Sequence, residues 1–555
     1  MANKNKRYDK REEEMREERH VSSRDGRNRR STGNRARSKS TRETKIDQRH
    51  ANNPAWYSYS PEGALYNATL NFGTQAGSPF DLNVGDSTGY TDISGNKTKN
   101  LTFPGILAMY WQPTIGSTAA GMNAPINRAA FEFYVETRMR QKITYSYDAP
   151  DLMKYLISMG SVYALYAHLN RIYGLLNVYV KENYYYPKHI LSVLGVDADS
   201  FREHIYDFRG WLNNLSYYIS RYNIPKDIYL FARWITVMSN VFTDAIGPKA
   251  QSYIYVPEFF WNYDEATGDL FPKYWLNHDS SYEPGSLMTY DDLIAWVDSY
   301  VQPLFNNQDF NNMSANVGLA YAGNLVQIPA VVPESILVPL KDDWMLLQIQ
   351  NSKANGWWIT PRITTNKDTN ALEIVSNDFQ VFTEWNPGPG HTWTQIMNTT
   401  ALGTSPDHVL ESMPNFNVAD SEVWSASELT AKVVDTGPDI LSRFKIFWFS
   451  NGHLTSTPSF TSCIATYVAE GEGSQDPERS AQVIDIAAKL SHFDWHPIIR
   501  ISQMEKSAVT GSPVDLQASD LLCDIDNYTL VEPSTVKQIH DYMMISLFRI
   551  PKASA

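Results

Sequence analysis

The first 50 residues of this chain hold too few apolar side chains to fold, which restricts ordered structure to the remainder. Only seven of them are apolar, and burying so few cannot offset the entropy of ordering the backbone. The same 50 residues carry 17 of the chain's 48 Lys and Arg residues but only 9 of its 61 Asp and Glu residues, so the rest has a net charge of −21. The sequence therefore predicts a disordered basic arm, residues 1–50, on an acidic folded body.

The positive charge of the arm is concentrated between residues 24 and 42, where eight cations accompany one acid, Asp25. Cations spaced closely along a flexible chain can neutralise successive phosphates without reading base sequence. Arginine outnumbers lysine 12 to 5 across the arm, and guanidinium groups match phosphate oxygens in geometry. A solubilising tail or a localisation signal is the alternative. The candidate RNA-binding residues are Arg24, Arg27, Arg29, Arg30, Arg35, Arg37, Lys39 and Arg42.

The remainder has the composition of a globular protein, with 43% hydrophobic and 13% aromatic residues in the whole chain. Helical patterns dominate residues 127–247, and short apolar runs between turn residues follow Pro329. These runs predict strands at 357–363, 372–375, 379–385, 444–449 and 463–468. The predicted fold class is predominantly α-helical with a smaller β-containing region (α+β), and residues 248–286 are expected to be rich in loops.

Helix boundaries are predicted from capping residues. Asp148 as N-cap, with Pro150 and Asp151 in the first turn, predicts a helix to residue 176 that is apolar all round and therefore buried. Ser200 and Glu203 match a capping box that opens a one-sided helix ending before Pro225. Pro225 is then expected in the first turn of the next helix. The remaining predicted helical spans are 228–242, 290–305 and a C-terminal helix from about 534, capped by Thr535 and Gln538.

Candidate chemistry in the body is sparse. His492 and His496 have the i,i+4 spacing of zinc ligands, but the segment does not read His-Glu-x-x-His and Pro497 follows it, so structural histidines are favoured. No phosphate-binding loop, nucleophile elbow or Gly-Asp-Asp motif occurs. We expect no catalytic residue, no metal site and no cofactor, and hence no enzyme.

A second basic cluster, Arg138, Arg140 and Lys142, follows an apolar run. It is a possible basic patch facing an RNA-filled interior, or else an exposed helix end where cations complement the helix dipole. The two cysteines, Cys463 and Cys523, can form one disulfide at most and favour a reducing cytosol. The most apolar stretch has 13 residues, too short to span a membrane, so stable membrane insertion is not expected.

A disordered, arginine-rich arm on a large acidic body without catalytic motifs is the layout of a coat protein that packages nucleic acid. Seven short motifs sharpen this interpretation. In order and setting they resemble the capsid proteins of picobirnaviruses, most clearly from residue 104 to residue 257. The motifs are Pro104-Gly-Ile106, Pro113-Thr-Ile-Gly116, Pro125-Ile-Asn127, Tyr147-Asp148, Asp151-Leu-Met153, Arg171-Ile-Tyr-Gly174 and Lys249-Ala-Gln251.

The resemblance implies a non-enveloped icosahedral virion, assembled from homodimers in the host cytoplasm around genomic double-stranded RNA and the viral polymerase. It also implies a helical shell domain and a protruding domain. The expected division is an RNA-binding arm at 1–50, a mainly helical shell domain at 51–290, a mixed α/β protruding domain at 291–480 and a C-terminal segment returning to the shell at 481–555. Two alternatives remain open: an RNA-binding nucleoprotein that forms no shell, and a cytosolic hydrolase with a basic tail.

Overall fold

A computed structural model describes residues 90–91, 97–98, 105–116, 121–140, 147–178, 186–245, 250–275, 287–354, 357–375, 378–380, 395–398, 436–450, 453–469, 477–506, 513–523, 528–531 and 533–553. All of them belong to one compact unit of the chain, residues 74–555. They form both helices and sheets, in agreement with the predicted α+β class.

The described residues contain eleven helices, numbered here in chain order. They are α1 (Pro125–Met139), α2 (Ala149–Leu176), α3 (Tyr186–Val193), α4 (Ala198–Glu203), α5 (Ile205–Ile219), α6 (Tyr229–Ser239), α7 (Tyr290–Asn306), α8 (Gln308–Ala320), α9 (Asp343–Asn351), α10 (Pro477–Leu490) and α11 (Pro533–Leu547).

The strands of the same residues are β1 (Tyr90–Thr91), β2 (Lys97–Thr98), β3 (Ile106–Pro113), β4 (Phe242–Thr243), β5 (Ser252–Pro257), β6 (Phe259–Asp264), β7 (Asp269–Tyr274), β8 (Trp357–Ile359), β9 (Arg362–Asn366), β10 (Ala371–Val375), β11 (Asp378–Gln380), β12 (Gln395–Asn398), β13 (Asp439–Ser450), β14 (His453–Ser456), β15 (Cys463–Ala469), β16 (Ile499–Lys506), β17 (Pro513–Leu522) and β18 (Tyr528–Val531).

The largest sheet has the strand order β14-β13-β3-β5-β4. Its middle strand, β3, is buried along all eight residues, pairs in parallel with β5 and pairs antiparallel with β13. Burial on both faces accounts for the continuous apolar sequence of β3, since a strand with one solvated face would alternate polar and apolar residues. Because β13 lies so far along the chain, the sheet joins both halves of the sequence.

Helix α2 forms the centre of the helical layer. Asp148 and Asp151 form the predicted capping box, and almost every side chain from Leu152 to Leu176 is buried. The predicted boundaries and burial of this helix are confirmed. Gly160 lets α6 approach closely, since a Cβ there would lie 2.2 Å from Cδ1 of Phe231.

Smaller sheets flank this core. Strands β6, β7, β9 and β10 form an antiparallel sheet in the order β10-β9-β7-β6. Strand β16 pairs in parallel with β15 and antiparallel with β17. Two-stranded pairs join β1 to β2, β8 to β11 and β12 to β18. Strands were therefore predicted correctly at 372–375, 444–449 and 463–468, whereas the stretch 357–363 contains two strands separated near Thr360.

Three local predictions were wrong. Ser200 is not an N-cap, because α4 already begins after Asp197, whose side chain accepts a hydrogen bond from the backbone N–H of Asp199. The predicted single helix is also divided, since a break at His204 separates α4 from α5. Pro225 lies before α6, in an isolated bridge with Leu325, and α6 ends at Ser239. The helix predicted to reach residue 242 is shorter because Phe242 pairs with Tyr253 as part of β4.

The stretch 248–286 was predicted to be rich in loops, but its described residues form β5, β6 and β7. The helix predicted at 290–305 is present as α7. The C-terminal helix is present as α11, but it begins at Pro533, so Thr535 lies inside it and is not the predicted cap. The four-part domain division stays a prediction. Strands from both sides of residue 290 share two sheets, since β13 pairs with β3 and β9 pairs with β7.

Candidate functional site

The eight cations proposed to bind RNA, between residues 24 and 42, lie outside the described residues. Their role stays a prediction. In the second basic cluster, Arg138 and Arg140 lie at the C-terminal end of α1, where positive charge complements the helix dipole. Lys142 lies outside the described part of the chain.

The two arginines at the end of α1 have different surroundings. Arg138 is exposed and lies against Tyr134, with 3.3 Å from Nη1 to the tyrosine hydroxyl. Arg140 donates from Nη2 to the carbonyl oxygen of Ala553 at 3.0 Å, and a carboxylate oxygen of Glu136 accepts from the Ala553 N–H at 3.3 Å. Arg140 and Glu136 thus hold the C-terminal segment against α1. No local sequence pattern predicts this contact, because its partners lie more than 400 positions apart.

His492 and His496 do not share a helix face, because α10 ends at Leu490. His496 is buried, with Nδ1 2.7 Å from the carbonyl oxygen of Pro497. Burial, together with the charge of Lys489, lowers the pKa of His492. Within the described ranges, no group of three or more His, Cys, Asp or Glu side chains is arranged to hold a metal ion.

A buried carboxylate, Glu258, joins three parts of the central sheet. It accepts from Gln112 Nε2 on β3 at 2.8 Å and from the hydroxyl of Ser442 on β13. Arg443 adds an ion pair, with its Nε 3.5 Å from Oε1, and its guanidinium also covers the ring of Tyr110. The register of β13 shifts between Leu441 and Arg443, so a β-bulge surrounds Ser442 where its hydroxyl meets Glu258. This cluster locks β13 in register beside β3.

A second buried ion pair joins α6 to the start of β13. Arg233 Nε lies 2.8 Å from Oδ2 of Asp439, and Nη2 lies 3.3 Å from Oδ1. Arg233 Nη1 also donates to Gln348 Oε1 on α9 at 2.8 Å. The Asp439 side chain is fully buried. Burial lowers the pKa of Arg233, but the Asp439 carboxylate outweighs that effect, so the pKa of Arg233 is raised overall. These contacts are structural, since they fix α6, α9 and β13 to one another.

Arg171 is a buried cation held by backbone carbonyls. Its Nη1 donates to the carbonyl oxygen of Asn240 at 3.1 Å, and Nη2 donates to that of Tyr255 at 3.0 Å. Burial lowers the pKa of Arg171 to about 9. Burial and the nearby arginine lower the pKa of His168 well below its usual value, so His168 is neutral and its Nδ1 accepts from Arg171 at 2.6 Å. The pair ties α2 to the end of α6 and to β5.

Large apolar side chains remain exposed on the body, which is typical of surfaces that meet other molecules. One group lies on α1 and α8, a second on α5 and a third along residues 332–340. The most exposed members are Phe131, Met139, Leu319, Tyr206, Tyr217, Tyr218, Val332, Ile336 and Val338. Among the described helices, none is long and apolar enough to cross a lipid bilayer.

The body thus combines charged groups buried between distant elements with an outer surface rich in apolar side chains. A family model described as picobirnavirus capsid protein matches residues 56–383, more than half of the chain. The chain belongs to the picobirnavirus capsid protein family. The recognition made from sequence motifs is confirmed, and a capsid protein belongs to the virion.

Two relatives of this capsid protein extend the comparison. The capsid protein precursor of human picobirnavirus (strain Human/Thailand/Hy005102) is 22% identical over 543 residues, which cover 90% of this chain and 91% of that protein. The crystal structure of a picobirnavirus capsid has a TM-score of 0.68 at 18% identity, covering 90% of this chain and 98% of the solved one. At this identity the second match establishes a shared fold. Both relatives are structural proteins.

Proposed function

We propose that this capsid protein assembles as homodimers into a closed icosahedral shell around double-stranded RNA, with residues 1–50 inside as a non-specific RNA-binding arm. The observation that carries the proposal is the division of charge in a chain of this family. The arm has a net charge of +8 and the rest has −21, so an acidic body repels RNA while the arm attracts it. The viral polymerase is the second proposed interior partner, and assembly is proposed to occur in the host cytoplasm.

We assign residues 51–290 to the shell, the projecting part to residues 291–480 and a returning segment to residues 481–555. Strand β13, within 291–480, pairs with β3 and is therefore assigned to the shell side of this division. The contact of Arg140 and Glu136 with Ala553 supports a returning C-terminal segment. The second basic cluster, Arg138, Arg140 and Lys142, is proposed to face the interior as a minor basic patch.

Electron microscopy of the purified chain tests the assembly proposal. Closed particles of uniform size are expected, both for the full chain and after deletion of residues 1–50, because the apolar surface lies in the body. Open filaments on RNA would instead support a nucleoprotein without a shell. Dispersed monomers at all concentrations would contradict self-assembly.

Substitution of arginines tests the packaging proposal. Replacing Arg27, Arg29, Arg30, Arg35 and Arg37 by Gln should leave particles intact but lower their ratio of absorbance at 260 nm to that at 280 nm. With all eight cations present, the slope of log affinity against log salt should be roughly −5 to −7, and the variant should have a flatter slope.

A matched variant changes five cations of the more neutral first half of the arm, Lys4, Lys6, Arg7, Arg11 and Arg16, to Gln. It should lose less RNA, because that half already carries six acidic residues. Equal RNA content in both variants and in the unmodified chain would refute the assignment of packaging to residues 24–42.

A further inference from the structure

Helix α5 presents an aromatic face to solvent. Its opposite face packs into the core through Phe208, Leu212, Leu215 and Ile219. The outward face carries Tyr206, Tyr217 and Tyr218, exposed by 78%, 62% and 51%. Just beyond the helix, the guanidinium of Arg221 stacks on this face, 5.0 Å from the ring centre of Tyr217. Such a face favours contact with another protein, since exposed tyrosine and arginine are enriched where proteins bind one another.

The centre of this face is a glycine, Gly210, in the second turn of α5. Among the described residues, a Cβ placed on Gly210 would have nothing within 4 Å. Glycine in a helix interior is roughly 1 kcal/mol less favourable than alanine. By contrast, Gly160 and Gly174 each admit a close neighbour from elsewhere in the chain. The room above Gly210 therefore suits a side chain that comes from outside the subunit.

The intervals between the outward residues are the same when they are counted from either end of the helix. Tyr206 and Gly210 are four apart, Gly210 and Tyr217 are seven apart, and Tyr217 and Arg221 are four apart. Residues at these intervals lie on one face of a helix. If two copies of the helix pair antiparallel about a two-fold axis near Asn214, Tyr217 of each copy lies over Gly210 of the other. Tyr206 of each copy then meets Arg221 of the other.

The charged residues at the two ends of the α4–α5 segment also favour antiparallel pairing. The exposed charged residues at the start of the segment are Asp199, Arg202, Glu203 and Asp207, with a net charge of −2, and those at its end are Arg221, Lys226 and Asp227, with a net charge of +1. Antiparallel pairing brings each acidic end against the basic end of the other copy, whereas parallel pairing would place like charges together. Pairing with a second copy is therefore favourable in both shape and charge.

We propose that the outward face of α5 is a two-fold contact between copies of this chain, centred on Gly210 and Tyr217. The inference rests on the proposed self-assembly and names one surface through which it occurs. Two 15-residue helices bury less than the roughly 1,200 Å² of a stable isolated interface, so the contact acts together with others in the shell. Its test therefore uses assembled particles.

Cysteine cross-linking tests the geometry directly. Asn214 is exposed beside the proposed axis, so Asn214→Cys places two thiols near each other, and oxidation or a short bismaleimide should convert most of the subunits in particles to covalent dimers. Asn123→Cys is the matched control, an exposed asparagine just before α1 and outside α4 and α5. The unmodified chain gives the background from its own two cysteines. Equal dimer yields from the two variants would overturn the proposal.

Substitution at Gly210 tests the energetics. Gly210→Tyr fills the space meant for the partner's Tyr217 and should raise the subunit concentration needed for particles by at least about tenfold, which corresponds to about 1.4 kcal/mol. Gly121→Tyr is the control, because Gly121 lies outside α5 and a Cβ there also has nothing within 4 Å in the part of the chain that the structure describes. Far-ultraviolet circular dichroism checks that both variants are folded.

The outcomes separate this inference from the proposed function. If the unmodified chain forms particles, Asn214→Cys cross-links and only Gly210→Tyr impairs assembly, the α5 contact is supported. If the unmodified chain forms particles but Gly210→Tyr assembles as readily as Gly121→Tyr, the α5 contact is refuted while the capsid function stands. If the unmodified chain forms no particle, both proposals fail.

Discussion

Loss of the negative charge at Asp439 should destabilise the subunit more than any exposed charge substitution. Asp439→Asn keeps the size of the side chain but leaves Arg233 as a buried cation without its carboxylate. The Arg233 side chain is only 11% exposed, so water cannot replace the lost partner. Breaking such a buried pair costs about 3–5 kcal/mol. We expect the lower end, because the Asn oxygen and Gln348 still accept hydrogen bonds.

Thermal unfolding of dissociated subunits measures the effect. Because the unfolding entropy of a chain of this size is about 1 kcal/mol/K, a loss of about 3 kcal/mol corresponds to a fall in Tm of roughly 3 °C. Asp343→Asn is the matched control, since Asp343 forms an ion pair with Lys341 at 2.8 Å while 70% of its side chain is exposed. Exposed pairs contribute about 0–1 kcal/mol, so its Tm should change by about 1 °C at most.

A second variant separates charge from packing. Arg233→Met combined with Asp439→Leu removes both charges and should recover most of the lost stability, because apolar residues of similar size often replace buried ion pairs without loss. If Asp439→Asn and Asp343→Asn lowered Tm equally, the argument that β13 is anchored by a desolvated pair would be wrong.

Three further outcomes are expected. Gly160→Ala should lower the free energy of unfolding by about 1–3 kcal/mol, because its Cβ would overlap the Phe231 ring; an unchanged Tm would contradict the close approach of α2 and α6. Burial, and to a smaller extent Asp494, raises the pKa of Asp244 to about 6, so its protonated form favours folding and this contribution to stability is lost as pH rises from about 4 through 6. The difference in Tm between Asp244→Asn and the unmodified chain should therefore grow in favour of the variant over this range, and a constant difference would exclude the effect. Arg140→Ala should speed hydrogen exchange and proteolysis of the last residues without altering Tm appreciably, whereas unchanged protection would show that other contacts hold them.

Elements with local signals could be predicted from the sequence, and elements defined by distant partners could not. The capping box of Asp148 and Asp151 lies within four residues, so both ends of α2 were predicted correctly. Strand β5 was missed although its run Tyr253-Ile-Tyr-Val256 favours a strand, and what the sequence could not show is its parallel pairing with β3, far away in sequence. The cluster around Glu258 could not be predicted either, since its hydrogen-bond partners come from two strands far apart in sequence, β3 and β13, and no spacing rule connects them.

The candidate surfaces likewise have some features that the sequence predicts and others that depend on distant parts of the chain. The outward face of α5 follows from helical periodicity alone, and the sequence predicted that helix as one-sided. What the sequence could not show was the empty space above Gly210, because it depends on which neighbouring elements pack nearby. The end of α1 carries the predicted arginines, but the use of Arg140 to hold Ala553 depends on where the chain terminus lies.

The position of β13 beside β3 also bears on when the subunit can fold. The hydroxyls of Thr114, just after β3, and Thr436, just before β13, are hydrogen-bonded across 322 positions of sequence. At a synthesis rate of about 5–20 residues per second, β3 waits roughly 15–65 s on the ribosome before β13 emerges. During that time one edge of an apolar strand lies unpaired, which invites pairing with a neighbouring nascent chain. We therefore expect slower translation to lower the yield of assembly-competent subunits, and a chaperone that covers this edge to raise it.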